Sequence, residues 1–288
     1  MALWLWRGMG VGPGAQGFRW SARPGIKGVD AARLDTFGDF LQDHVRISDG
    51  GRGGERMGHY VVVCGSSGIG AAIVSALMKN QHRVTNCDIM PAATEGTYLA
   101  MDVSSPASVK AASLQITGPI DGYVHAAGIQ IAVPIEAMKD EDITRQIAVN
   151  VNGPAWVAKY FSPLLCSGSS VVLIGSELVF VGTAQSPVYA ATKGAVVSLA
   201  RSLAVAWRDR AIRVNALCPG ATRTPLLQGV WQLSANPAEA EAEDARGVLL
   251  GRLGAPDEIA QAALFLLSSA ASFVDGHALV ADGGTIIW

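Results

Sequence analysis

Six short runs of apolar residues recur along the chain after residue 57, at 60–64, 84–87, 120–125, 170–175, 213–217 and 278–281. Their flanks are apolar on both sides, the pattern of strands covered by helices on both faces of a sheet. A further short strand ends at Asp102, in Met101-Asp102-Val103. Between the strands lie helix-length amphipathic patterns near 69–79, 106–115, 140–165, 188–208 and 256–268, the third of them read as one long helix. Alternation of strand and helix is what crossover connections between parallel strands require, so the expected fold class is α/β, a single doubly wound parallel sheet. Residues 222–251 interrupt the alternation, mixing Trp231 with the acidic run 239–244. That stretch reads as a mobile lid.

Residues 1–56 have no sustained apolar period and carry 12 of the 33 glycines and three of the seven tryptophans. They are expected to be a poorly structured extension ahead of a domain spanning 57–288. The first 28 residues hold Arg7, Arg19, Arg23 and Lys27 and no acid, as a targeting leader does, but serine is scarce. An upstream start or a dispensable extension is the preferred reading over a true leader.

Composition narrows the function. With 288 residues, half of them hydrophobic and 16% charged, the chain can bury a large core, which excludes a mainly disordered protein. A net charge of −2 removes the cationic surface that binding a phosphate backbone needs, so nucleic acid is not an expected partner. Cys64, Cys87, Cys166 and Cys218 lie far apart without a CxxC spacing, which suggests neither a disulfide framework nor a metal site and fits a reducing, cytoplasmic compartment. No run approaches the length of a membrane-spanning helix.

The chemistry starts at the first strand, followed by Cys64-Gly65-Ser66-Ser67-Gly68-Ile69-Gly70 and then a helical pattern. Glycines there let the backbone turn tightly against a diphosphate while the helix start offers free N–H donors. Alone such a turn could be an ordinary loop. In a strand-turn-helix context, with Asp88 ending the second strand 18 residues later, it reads as a dinucleotide site. Asp88 would accept from both adenosine-ribose hydroxyls and oppose a 2′-phosphate, which favours NAD over NADP because Ser67, Ile89 and Met90 supply no base. Asp102 would accept from the adenine amino group or cap the following helix.

Tyr189 and Lys193, four apart on a helical run, share one face. An ammonium beside a phenol favours phenolate, so the expected effect is a lowered tyrosine pKa, suited to proton transfer in alcohol oxidation. Ser176 follows the strand 170–175, at the strand end where ligands bind in open parallel sheets, and its hydroxyl can hold a substrate oxygen. Asn150, on the expected long helix, is either a structural core amide or a holder of water.

Together Cys64 through Gly70, Asp88, Ala126-Ala127-Gly128, Asn150, Ser176, Tyr189-x-x-x-Lys193 and Pro219-Gly220 resemble the short-chain dehydrogenase/reductase family from about Tyr60 to the C-terminus. The resemblance implies a Rossmann fold and an NAD-dependent dehydrogenase for secondary alcohols. It implies Tyr189 as acid/base, Lys193 as its pKa depressor and ribose ligand, Ser176 as substrate-oxygen binder and Asn150 as holder of a relay water. The implied cofactor contacts are Gly65, Ser67, Gly68, Ile69, Gly70, Asp88, Asp102, Val103, Ala127, Gly128, Tyr189, Lys193, Pro219, Gly220, Thr222 and Thr224, with Thr224 on the nicotinamide amide and no metal. It also implies a homo-oligomer, dimer or tetramer, packed through the long helices and the C-terminal strand. Two departures stand out: Val63-Cys64 occupy the family's Thr-Gly positions, and His125-Ala126-Ala127-Gly128 replaces its Asn-Asn-Ala-Gly turn. The expected pocket walls are Glu177, Phe180, Gln185, Leu226 and Trp231, mostly apolar, which suits a cyclic or hydrophobic alcohol such as a steroid, terpenoid or dihydrodiol. The alternatives are an NADPH-dependent ketoacyl-type reductase, which should show a base near Ser67 or Ile89, and a non-catalytic nucleotide-binding protein, which should have lost one of the four catalytic-type residues.

Overall fold

A computed structural model describes residues 57–91 and 96–288. The proposed extension 1–56 lies outside the described residues. Among the described residues seven strands, β1 (His59–Val63), β2 (Arg83–Asp88), β3 (Thr97–Ala100), β4 (Ile120–His125), β5 (Leu165–Ile174), β6 (Arg213–Pro219) and β7 (Ala278–Ala281), form one sheet in the order β3-β2-β1-β4-β5-β6-β7. Every pairing is parallel. The chain runs outward from β1 to β3, returns to β4 beside β1, and continues the other way. That reversal opens a crevice at the carboxyl ends of β1 and β4.

The helices are α1 (Gly68–Lys79), α2 (Pro106–Ser113), α3 (Asp140–Ile147), α4 (Gly153–Phe161), α5 (Pro187–Trp207), α6 (Pro225–Trp231), α7 (Pro237–Arg246) and α8 (Pro256–Leu267). Strand alternation divides the core between the two faces. Val61, Val63, Tyr123, Val171, Leu173 and Val214 pack with Val109, Val157, Phe161, Val196 and Ala200 from α2, α4 and α5. Val62, Val124, Val172 and Leu217 point the other way, onto Ile73 and Leu77 of α1 and Ile259, Ala263 and Leu266 of α8. Each fully buried aliphatic side chain contributes about 1.5–3 kcal/mol against exposure.

Three expected elements differ. The helix expected over 140–165 is two helices joined by a π-helical turn, Ala148–Asn152, and it ends at Phe161 because Leu165 already begins β5. The third strand stops at Ala100, two residues before Asp102. The stretch 222–251 is not irregular, since it folds α6 and α7, each started by a proline and an N-cap side chain, Thr224 and Asn236. The pairing of β4 with β5 also explains a glycine: where its register shifts, a Cβ on Gly122 would strike the Ser170 carbonyl oxygen.

Candidate active site

The glycine turn links β1 to α1 at the crevice. Cys64 holds φ +64°, a left-handed conformation that favours glycine, and its N–H donates to the Cys87 carbonyl at 2.7 Å. Gly68 is left-handed too, and a Cβ on Gly70 would overlap the Cys64 carbonyl, so the loop closes only with glycine there. Ser67 sits at the N-cap of α1 without a side-chain cap, which leaves the first N–H groups of a 12-residue helix facing the crevice with no acid in the first turn. This bare, donor-rich cradle fits an anionic diphosphate.

Behind the turn, the buried Asn86 accepts from the Gly65 N–H at 3.0 Å and donates to Ser66 Oγ at 3.0 Å, while Asp88 Oδ2 accepts from the Ser66 N–H at 2.9 Å. Asp88 is itself buried, with Oδ1 accepting from the Met90 N–H. Asn86 escaped the sequence reading, although a lone amide in an apolar strand was a signal. Asp102 is exposed and accepts from the Ser104 N–H and hydroxyl in a local turn, while Ser105 caps α2, so the alternative role of Asp102 as helix cap is not realised. Val103 is buried, packed against the position where Gly153 lacks a side chain.

A cavity of about 460 Å³ begins at the turn, where Ser67, Gly68, Ile69 and Gly70 line it, and continues past Gly128, Ser176, Tyr189 and Lys193. Its far wall is Pro219, Gly220, Thr222 and Thr224. Gly65, Asp88, Asp102, Val103, Ala127 and Asn150 are not among its lining residues. Thr224 is the N-cap of α6, accepting from the Leu227 N–H, and packs against Gly68, so the two ends of the predicted set meet. Of the expected walls, Glu177, Gln185 and Leu226 line the cavity. Phe180 and Trp231 do not: Phe180 is turned to solvent, and Trp231 is buried with its Nε1–H donating to Asp244 Oδ2 at 2.7 Å. Asp244, from the acidic run, lines the cavity instead.

Tyr189 and Lys193 sit one turn apart on α5, both buried, with Nζ 5.6 Å from the centre of the phenol ring. Ser176 hydrogen-bonds the Tyr189 hydroxyl and, as first residue of a turn, accepts from the Leu178 N–H. The expected lowering of the tyrosine pKa is not found in the protein alone. Burial pushes it up, outweighing the Ser176 hydrogen bond, because Lys193 donates instead to the Ile174 carbonyl at 2.8 Å and is itself brought down to about 8 by burial. Asn150 is fully buried in the π-helical turn: its Oδ1 accepts from the Ile129 N–H and its Nδ2 donates to the Ile129 carbonyl and to Thr192 Oγ1. The side chain thus ties α5 to the loop after β4, with Gly128 pressed between Asn150 and Lys193. His125, standing where the resembled family has asparagine, is buried and held neutral, its pKa brought down to about 3 by burial and the nearby Lys193.

Glu177 is the site residue whose chemistry the sequence did not announce. Burial, then Asp282 and Asp244, push its carboxyl up to about 8. Among the described residues no cluster of His, Cys, Asp and Glu could hold a metal, and no helix is long and apolar enough to cross a membrane.

Comparison with known proteins agrees with the fold. A family model described as enoyl-(acyl carrier protein) reductase matches residues 63–285. The 2,5-dichloro-2,5-cyclohexadiene-1,4-diol dehydrogenase of Sphingobium indicum is 36% identical over 240 residues, 78% of this chain and 95% of that protein. The D-threitol dehydrogenase of Mycolicibacterium smegmatis is 33% identical, covering 79% of this chain and 92% of its own. A solved short chain dehydrogenase family protein from Francisella tularensis superposes with a TM-score of 0.77 at 31% identity, over 81% of this chain and 100% of its own. The parallel sheet with its glycine turn, the Ser176, Tyr189 and Lys193 cluster at its carboxyl end, and these relatives lead to one assignment: the chain is an oxidoreductase of the short-chain dehydrogenase/reductase family.

Proposed function

We propose that the protein transfers hydride between NAD(H) and a secondary alcohol or its ketone, with a cyclic or hydrophobic substrate of steroid, terpenoid or dihydrodiol type. The observation that carries this reading is a single cavity lined both by the open N-terminus of α1 and by Ser176, Tyr189 and Lys193. The names of the two relatives, one acting on a cyclic diol and one on threitol, support a hydroxylated carbon as the reacting centre.

The nicotinamide, when bound, supplies the hydride acceptor or donor. Gly65, Ser67, Gly68, Ile69 and Gly70 would hold the diphosphate, Asp88 the adenosine ribose, Asp102 and Val103 the adenine, and Ala127, Gly128, Pro219, Gly220, Thr222 and Thr224 the nicotinamide half. Tyr189 moves the proton at the substrate oxygen, and Ser176 donates a hydrogen bond to that oxygen. Because burial keeps the phenol protonated in the protein alone, oxidation needs positive charge beside it, which Lys193 would supply; reduction uses the phenol as it stands. Asn150 fixes the loop after β4 and, through it, the wall beside Lys193. The stretch 222–251, with Arg223 paired to Glu241 and Trp231 to Asp244, would serve as the lid.

Asp88 supports NAD, since Ser67, Ile89 and Met90 present no cation for a 2′-phosphate. The family model's description favours a second reading, an NADPH-dependent reductase of acyl chains. A panel of cyclic secondary alcohols with NAD⁺ and with NADP⁺, read by absorbance of the reduced cofactor, separates them; preference for NADP⁺ would overturn the first. A dimer or tetramer is supported by the exposed Ile287, Trp288, Phe273 and Val205, and a reducing cytoplasmic compartment by four unpaired cysteines.

A further inference from the structure

We propose that Glu177 is a specificity-determining residue which, together with Asp244, recognises a second hydroxyl on the substrate, so that the preferred substrate is a cyclic diol and not a mono-alcohol. The inference rests on the alcohol dehydrogenase reading above and deepens it.

Glu177 directly follows Ser176 and opens the 3₁₀ turn Glu177–Val179. It lines the cavity yet is only 9% exposed, and its Oε2 is buried without a hydrogen-bond partner. That oxygen lies over Gly220, another cavity residue: a Cβ there would collide with it. Asp244 reaches the same cavity from α7, its Oδ2 anchored by Trp231. Asp282, beyond β7, has its two oxygens taken by the N–H groups of Gly284 and Ile286. Lys193 is the only cation lining the cavity among the described residues, and it is committed to Ile174. The Glu177 carboxyl therefore faces acids and no basic side chain; burial, then Asp282 and Asp244, outweigh the hydrogen bond from the Ala221 backbone, and it keeps its proton to about 8.

A neutral carboxyl beside a carboxylate offers one donor and several acceptors. A hydroxyl, which is both donor and acceptor, completes that set; a methylene leaves a buried polar oxygen unpaired, and an anionic substituent meets the charge of Asp244.

The test compares kcat/KM for cyclohexanol and the 1,2-cyclohexanediols with NAD⁺ in the wild type, Glu177→Leu and Glu177→Gln. The wild type should favour a diol by about tenfold or more. Glu177→Leu should erase that ratio, whereas Glu177→Gln, which keeps a donor and an acceptor, should preserve it. In the wild type the ratio should fall above about pH 8, as Glu177 ionises toward Asp244, Asp282 and Tyr189, while in Glu177→Gln it stays flat. A larger thermal shift from the diol than from cyclohexanol, present in the wild type and absent in Glu177→Leu, reads binding without turnover. If the leucine variant does not fold, the contrast in pH profile between wild type and Glu177→Gln decides the matter. Equal efficiency on diol and mono-alcohol, a preference surviving in folded Glu177→Leu, or identical pH profiles would overturn the proposal. Failure of the wild type to oxidise any alcohol would instead overturn the dehydrogenase reading, and this one with it.

Discussion

At the scale of single residues, spacing and surroundings speak about different things. The i, i+4 relation placed Tyr189 and Lys193 on one face of α5, but it carried no information on where the ammonium would spend its hydrogen bonds. Only the fold shows that Nζ reaches the Ile174 carbonyl and that burial dominates the phenol. The same limit hid Glu177, whose charge state depends on Asp244 and Asp282, residues 67 and 105 positions away in the chain. Replacing Tyr189 by Phe removes the proton carrier while keeping the ring, so turnover should drop by about 10²–10⁴-fold with NADH binding unchanged by fluorescence titration. Undiminished turnover would take Tyr189 out of the reaction.

At the scale of elements, the glycine turn shows how close contacts limit sequence. α1 starts immediately after a loop in which Cys64 adopts a backbone conformation that costs a non-glycine residue on the order of 1–2 kcal/mol. The bonds from Asn86 and Asp88 to the next two N–H groups hold it there. Gly70→Ala would force a methyl group into the Cys64 carbonyl. It should destabilise the protein by about 2 kcal/mol or more in denaturant titration and weaken NADH binding at least about tenfold, because the helix start and the loop move apart. The strand-turn-helix unit itself, the parallel sheet and the boundaries of α5 and α8 were legible in the sequence, since apolar periodicity reports burial directly. The π-helical turn at Ala148–Asn152 was not: an extra residue in a helix leaves no mark on a period of 3.6 until Asn150 is seen bonded to Ile129 and Thr192. Nor were α6, only seven residues long, and α7, whose acidic and small residues carry a weak apolar stripe; their boundaries come from Pro225, Pro237 and their caps.

At the scale of the whole molecule, buried titratable groups make stability depend on pH. Glu177 keeps its proton to about 8 in the folded protein against 4.5 ordinarily, so the unfolded chain releases it first and stability falls as pH rises from about 4.5 to about 8, then levels off. His125 acts oppositely: held neutral down to about 3 against 6.5, it removes stability as pH falls through that interval. Between 6.5 and 8 the Glu177 effect is unopposed by the histidine. Glu177→Gln should therefore raise the melting temperature by several degrees near pH 8 and hardly at all near pH 5, by scanning calorimetry at each pH. A constant offset across that range would show that Glu177 titrates normally. The larger claim joins the two halves of the cavity: a diphosphate seat at one end and a proton-transfer cluster at the other serve a single hydride transfer. A cyclic secondary alcohol carrying deuterium on its carbinol carbon, supplied with NAD⁺, tests this most directly. The account predicts a primary isotope effect or, if product release is slow, at least quantitative recovery of the deuterium in the reduced nicotinamide; deuterium released to water with none in the nicotinamide would contradict it.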